Sequence, residues 1–254
     1  MALDLDGTDD DIDHGNIVGI SGSTVLTVAG WFQPQAFGST EPYWAYWNNN
    51  VGIILQQITN IGTCRIVFDN WAPLASTGSV FTVDVWAHVA VVYNGGGAAD
   101  ADKVKIYIDG VNQSLTFGGI IPTSIPAAAD TFQIGDTGAT AAGGRFINMS
   151  VGHVKVWLAE LSAAEVVREV NSYLPQRRLN LVLDAPYDDG VLATDYSTLQ
   201  NAATVTGAVQ AQGPLTVSYG PRPLMTDSHM RGGRTESSRR YTKTPCPKRV
   251  WYNQ

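Results

Sequence analysis

The sequence is poor in sulfur, poor in charge and without a long apolar run. Only two cysteines occur in 254 residues, Cys64 and Cys246. A disulfide framework is therefore not indicated, and the fold has to be held by its core. No stretch approaches the roughly 18 apolar residues that a membrane-spanning helix needs. The chain opens Met-Ala-Leu-Asp-Leu-Asp, with neither a basic nor an apolar leader segment. The expectation is synthesis in the cytoplasm without classical export. Charged residues make up 15% of the chain, and there is no GxSxG, HExxH or phosphate-loop motif. The four histidines, at positions 14, 88, 153 and 229, are scattered. Nothing here specifies nucleophilic or metal-hydrolytic chemistry.

What is present suits a sheet protein. Apolar residues reach 44%, enough for a sizeable core, and 26 glycines with 12 prolines supply many turns. The net charge of −7 is unevenly spread. Residues 225–254 carry seven basic and two acidic residues, leaving nine basic against 21 acidic in residues 1–224, a net −12. An acidic globule followed by a basic tail is the reading, and such a globule is unsuited to binding nucleic acid.

Short runs rich in Val, Ile, Tyr, Trp and Thr read as strands: Thr24–Phe32, Val51–Gln57, Cys64–Asp69, Trp86–Tyr93, Lys103–Ile108, Thr131–Ile134 and His153–Trp157. Asp109-Gly110 between two apolar runs signals a tight hairpin. One helix is expected after Ser162, where Ser162 and Glu165 form a capping box and Pro175 follows as a stop. Further strands are expected at Leu179–Leu183 and Val205–Ala208. From Gly213 the Gly-Pro and Pro-Arg-Pro breakers rule out a sheet interior, and residues beyond Met225 offer little to bury.

The strand set resembles the laminin G-like, concanavalin A-like lectin jelly rolls. Residues 2–12 (ALDLDGTDDDI) are similar to that family's "LxFDGxxDYV" opening, and Val28–Pro34 to its "xxxWVxP" strand. Trp86–Tyr93 resembles "WxHVAxxY", Lys105–Gly110 "xLYVDG", Phe132–Gly135 "xxIG", and Val151–Glu165 the last long strand and short helix. The resemblance implies an all-β, two-sheet antiparallel jelly-roll sandwich with one short helix. Trp31 and Trp86 are expected to point into it. Many relatives carry a "WPLDEG…DSSGNGN…GTVTGA" segment before the opening strand. Here the similar Leu181–Gly190 and Asp195–Ala208 come last, which implies a circular permutation. The domain is drawn at residues 1–212, with 179–210 pairing back into the sandwich, and the extended basic tail at 213–254.

Glucanases of this fold set paired carboxylates along one strand. Only Glu41, Glu160, Glu165, Glu169 and Glu236 occur, none in such a pattern, so no enzyme is expected. His88 falls within the family's strand motif and reads as structural. Asp6, Asp9, Asp10, Asp11 and Asp13 suggest calcium, which related jelly rolls hold near this opening. The acidic pair that completes such a site is replaced by Gly152-His153, so a turn-forming cluster is preferred and no cofactor is assigned. Trp47, Asn49 and Trp71 have the composition of a glycan platform. By strict alternation Tyr43 and Trp47 share one face of their strand, with Trp44 and Tyr46 on the other.

The tail residues Arg239, Arg240, Tyr241, Lys248, Arg249, Trp251 and Tyr252 mix charge with aromatic anchors, as interface arms do. The leading expectation is a non-catalytic structural protein of a phage virion, in capsid decoration or associated with a tail or fibre. Its jelly roll would be displayed outward, where it could touch a cell-surface glycan. Its tail would dock on virion proteins such as a major capsid protein, within a homo-oligomer or larger assembly. The alternative is a carbohydrate-binding module or lectin with no assembly role.

Overall fold

The structure is a computed structural model. It describes residues 1–214 apart from 39, 49–50, 59–61, 72–73, 128–130, 138–144, 189–192 and 202. The chain divides into a unit of residues Met1–Leu224 and a second of Met225–Gln254, the latter outside the described residues.

In chain order the strands are β1 (Ala2–Asp6), β2 (Asp11–Asp13), β3 (Val25–Pro34), β4 (Thr40–Asn48), β5 (Val51–Ile58), β6 (Thr63–Phe68), β7 (Leu74–Ser79) and β8 (Ala87–Asn94). There follow β9 (Val104–Ile108), β10 (Val111–Asn112), β11 (Thr116–Gly118), β12 (Phe132–Ile134), β13 (Asn148–Trp157), β14 (Leu181–Ala185), β15 (Thr204–Thr206) and β16 (Val209–Ala211). Two helices, α1 (Asp100–Lys103) and α2 (Ala163–Val170), and a 3₁₀ turn at Asp69–Trp71 complete the described elements. They form two antiparallel eight-stranded sheets, a jelly-roll sandwich. The first runs β10-β9-β8-β3-β13-β1-β16, with β14 also on β13; the second runs β11-β7-β6-β5-β4-β12-β2-β15.

The last strands return to the first. β16 pairs with β1, β15 with β2, and β14 with β13. β13 holds β1 along residues 148–151 and β14 along 154–157, so β1 and β14 lie end to end on one edge of β13. Between them β13 shifts register against β3, and His153 adopts φ 49°. An extra residue accommodated this way is a β-bulge.

Alternation places the core. Leu26, Val28 and Phe32 of β3 and Val89, Val91 and Tyr93 of β8 meet Trp44, Tyr46, Ile66 and Phe68 from the other sheet. Phe68 and Tyr93 touch across the sheets with centroids 5.3 Å apart, and Trp44 stacks on Phe132 at 5.8 Å. Asp109 and Gly110, at φ 50° and 80°, join β9 to β10 as the two-residue turn with both central residues left-handed.

Four expectations are corrected. Trp31 lies with the outward parity of Thr27 and Ala29, half-buried, its ring edge-on to His88 at 5.3 Å. Trp86 precedes β8 and is likewise half-buried and outside the core cluster, because Ala87 takes the inward position. Tyr43 does not share a face with Trp47. A register shift between Pro42 and Trp44 puts Tyr43 in the core beside Trp44 and Tyr46. The expected Val205–Ala208 strand resolves into β15 and β16, separated by Gly207 at φ 67°.

Candidate functional site

The two outer faces of the sandwich differ. On the first sheet, α2 is seated through Val166 over an apolar patch of Ala29, Val92, Tyr107 and Trp157. Ser162 Oγ accepts from Glu165 N–H at 3.3 Å, and Glu165 Oε2 accepts from Ser162 N–H at 2.8 Å, so the expected capping box starts the helix. Beneath it Lys155 Nζ meets Glu169 Oε2 at 2.7 Å with both side chains almost fully buried. His153 Nε2 lies 3.0 Å from Asp184 Oδ1, equally buried. His88 is buried beside them. Burial, then the nearby Lys155, pull it down to about 3, so it is a neutral packing residue at physiological pH. This face is closed by structure.

No described helix covers the outer face of the second sheet. Here Ala45 and Trp47 of β4, Ile54 of β5 and Val67 of β6 form a separate cluster, with Trp71 and Leu74 packed on it. Trp47 is 3% exposed, so it is the floor of this patch. Behind it Gly52 stands opposite in register, at φ 132°, where an added Cβ would lie 2.0 Å from the Tyr46 carbonyl oxygen. That close approach sets the hairpin end on which Trp47 sits. The 3₁₀ turn carries Trp71 over the floor, half-buried, with ring centroids 4.9 Å apart. Trp71 itself has φ 62°. A left-handed tryptophan costs about 1–3 kcal/mol and persists only where its surroundings hold it. Above its ring stands the exposed Arg145, its guanidinium carbon 5.2 Å from the centroid, a cation–π contact.

Polar groups continue along the same face. Arg65 shares the outward parity of Val67, and its register partner is Gln56, which is wholly buried. With its carbonyl oxygen turned to Arg65, the Gln56 amide accepts from Arg65 Nε at 3.0 Å and from Nη2. Burial, then the neighbouring Arg145 charge, hold Arg65 below its ordinary value. Gln133 and, farther out, Asp11 and Asp13 take the outward positions of β12 and β2. Burial chiefly raises Asp11, with the Asp136, Asp13 and Asp10 charges adding to it. Asp136 Oδ1 accepts from the Arg145 backbone N–H at 3.3 Å.

Of the residues singled out from the sequence, the fold brings Trp47 and Trp71 together, and Asn49 lies outside the described residues. So do Arg239, Arg240, Tyr241, Lys248, Arg249, Trp251 and Tyr252. Arg65, Gln56 and Arg145 were not anticipated. The alternation in Cys64–Phe68 puts Arg65 on the outer side, but only the folded chain brings Arg145 to it.

The aspartate cluster is a poor cation site. Asp6, Asp9 and Asp10 offer ligand atoms within 4.8 Å of one another. Asp10 Oδ2 already accepts from Asp6 N–H at 2.8 Å and Asp6 Oδ1 from Thr8 N–H at 2.7 Å, while Asp13 Oδ1 accepts from Gly15 N–H. A calcium ion needs six to eight oxygens. His153, at the position of the missing acidic half, is turned to Asp184. The carboxylates shape turns.

The glutamates are dispersed. Glu165 caps α2, Glu169 pairs with Lys155, Glu160 with Lys105 at 3.2 Å, and Glu41 accepts from Gly38 N–H. Glu236 lies outside the described residues. A concavity of about 370 Å³ lies between sheet edges, lined by Ala101, Lys105, Asn112, Gln113, Leu115 and Phe117 among others. Among described residues it holds no aromatic pair.

A family model for the concanavalin A-like lectin/glucanases superfamily, of laminin G type, matches residues 6–167. Among curated proteins no sequence matches the chain. Solved structures that share the fold include the following three. A protein from Bacteroides ovatus ATCC 8483, assigned provisionally to carbohydrate binding, superposes with TM-score 0.58 at 16% identity over 82% of this chain. The present chain spans only 58% of that protein's length. A heptameric SAP-like pentraxin from Limulus polyphemus gives TM-score 0.55 at 16% identity, over 80% of this chain and 93% of the pentraxin. The CBM40 of Ruminococcus gnavus IT-sialidase, bound to α2,3-sialyllactose, gives 0.50 at 13% identity, over 66% of this chain and 96% of the module.

Proposed function

The chain belongs to the concanavalin A-like lectin/glucanases superfamily, and on that premise we propose that it is a non-catalytic carbohydrate-binding jelly roll whose ligand face is the outer face of the second sheet. One observation carries this reading. Trp71 is held in a left-handed conformation over Trp47, on the outer face that neither α1 nor α2 covers, with the Arg145 guanidinium beside its ring. An indole supplies a flat apolar surface for a sugar ring, and neighbouring amides and guanidiniums supply directed bonds to hydroxyls.

Catalysis is disfavoured because glycoside hydrolysis needs two carboxyl groups flanking one bond. The described glutamates are tied to separate structural partners on different elements. One of these fold neighbours is described as bound to α2,3-sialyllactose and another is assigned provisionally to carbohydrate binding, in keeping with this reading. The virion-assembly reading finds no support from these comparisons and rests on tail residues outside the described part.

The test is a glycan array probed with the intact chain and with Trp71→Ala. Retention of a defined glycan set by the wild type, lost by about tenfold or more in the variant at unchanged melting temperature, is expected. Equal retention by both proteins would remove this face as the site.

A further inference from the structure

On one side the two sheets end in very short strands. Among the described strands, β10 pairs only with β9, and β11 only with β7. Between them the chain crosses from one sheet to the other. Asn112 closes β10, Gln113 N–H still donates to the Ile106 carbonyl at 2.8 Å, and by Thr116 the chain runs beside β7. The crossing leaves a fork. No described strand pairs with β9 at Val104 and Lys105 on this side, nor with the outer edge of β11. The 370 Å³ concavity lies in that fork, with Val104 and Lys105 on one flank, Leu115 and Phe117 on the other, and Ala101 of α1 at its side.

The walls are fixed by bonds of their own. Lys103 Nζ donates to the Ile121 carbonyl at 2.7 Å, and Asp100 Oδ1 accepts from Ile121 N–H at 3.2 Å, which ties the chain after β11 to α1. Gln113 Nε2 donates to the Val111 carbonyl at 2.8 Å. The interior is apolar at its base, where half-buried Leu115 and Phe117 pack against the core, and polar at its rim, where Asn112 and Ser114 are exposed. Charge nearby is acidic. Lys103 and Lys105 are each met by a carboxylate, Asp100 at 3.4 Å and Glu160 at 3.2 Å, while exposed Asp102 next to Ala101 has no cation on it among the described residues. Residues 1–224 as a whole carry 21 acidic against nine basic side chains.

We propose that this fork is a docking slot for an extended, basic segment of a partner protein, added as a strand to the free edge of β11 with every second side chain on Leu115 and Phe117. An unpaired strand edge offers backbone donors and acceptors in register, which a peptide strand satisfies and a sugar ring does not. The apolar base takes the side chains of one face, since successive residues of a strand point to opposite sides. The acidic surroundings favour lysine or arginine on the other face and repel an acidic segment. The slot lies apart from the second sheet's outer face and is independent of the carbohydrate reading.

The experiment titrates the intact chain with synthetic peptides of about eight residues, within the span of an ordinary strand. One alternates valine with lysine and a second valine with glutamate. A third is the lysine peptide with its valines replaced by proline, which cannot donate to a strand edge. Binding is read by calorimetry and by amide hydrogen exchange. The valine–lysine peptide is expected to bind, to add protection at Leu115–Gly118, and to lose affinity as salt rises. Ala101→Arg, at an exposed position where folding is safe, and Phe117→Ala are each expected to weaken it about tenfold or more. No binding of that peptide, equal binding of the glutamate or proline peptide, equal binding by both variants, or protection confined to other strands would each overturn the proposal. None of these outcomes bears on glycan retention, which is measured separately.

Discussion

Single residues show how burial is put to different uses. Cys64 is wholly inside the sandwich and burial pushes its thiol far up, so it behaves as a small apolar side chain. His14 is buried with its Nε2 2.8 Å from the Tyr187 hydroxyl, and burial, only partly offset by Asp195 and Asp13, lowers it to about 4. Its folded pKa lies below the unfolded value near 6.5, so between these pH values the unfolded chain binds a proton that the folded chain refuses. Stability is therefore full above about 6.5 and falls as pH drops toward 4, by at most about 1.4 kcal/mol per pH unit. His88 acts in the same direction, while Asp10, Asp11 and Glu41, raised chiefly by burial, act in the opposite one. The difference between wild type and His14→Gln isolates one group. Urea melts at pH 7, 6, 5 and 4 are expected to show a shallower loss in the variant, and parallel pH profiles would contradict a neutral buried His14.

At the scale of elements, α2 is fastened as much by charge as by apolar contact. Lys155 Nζ also donates to the Ser172 carbonyl at 3.3 Å, and Glu169 Oε1 accepts from Gln176 N–H at 2.6 Å, so the pair ties both the helix and the turn after it to β13. Lys155→Met leaves Glu169 buried without its partner and is expected to cost about 3–5 kcal/mol, whereas Lys155→Met with Glu169→Leu recovers most of it. Chemical denaturation of the two variants checks this, and a single variant as stable as wild type would contradict it. The helix was legible in advance because its capping box is local in sequence. So was the β9–β10 turn, whose Asp109-Gly110 supplies the two left-handed positions. β7, with the sequence LASTGS, carries too little apolar alternation to announce itself and forms through pairing with β6. The faces of Tyr43, Trp31 and Trp86 were misjudged for related reasons. A register shift at Pro42–Trp44 resets parity midway along β4, and an aromatic on a strand indicates burial without saying under which face.

For the whole molecule, the decisive asymmetry is that one sheet is covered on its outer side by α2 and the other carries an aromatic and cationic patch there. Sequence motifs spaced over some 165 residues were enough to identify the sandwich, because each strand brings its own local pattern. The site was half legible: Trp47 and Trp71 stood out by composition, while Arg65 and Arg145 are 80 positions apart in the chain and become neighbours only across the folded sheet. Trp47 turns out to be floor, with Trp71 half-buried over it. The most direct test of the account is amide hydrogen exchange on the intact chain with and without whichever glycan the array retains. Added protection is expected in Ala45–Trp47, Ile54–Gln56, Arg65–Trp71 and Gln133, with the first sheet unchanged. Protection concentrated instead on Ala101–Phe117, around the concavity between the sheet edges, or beneath α2, would contradict it.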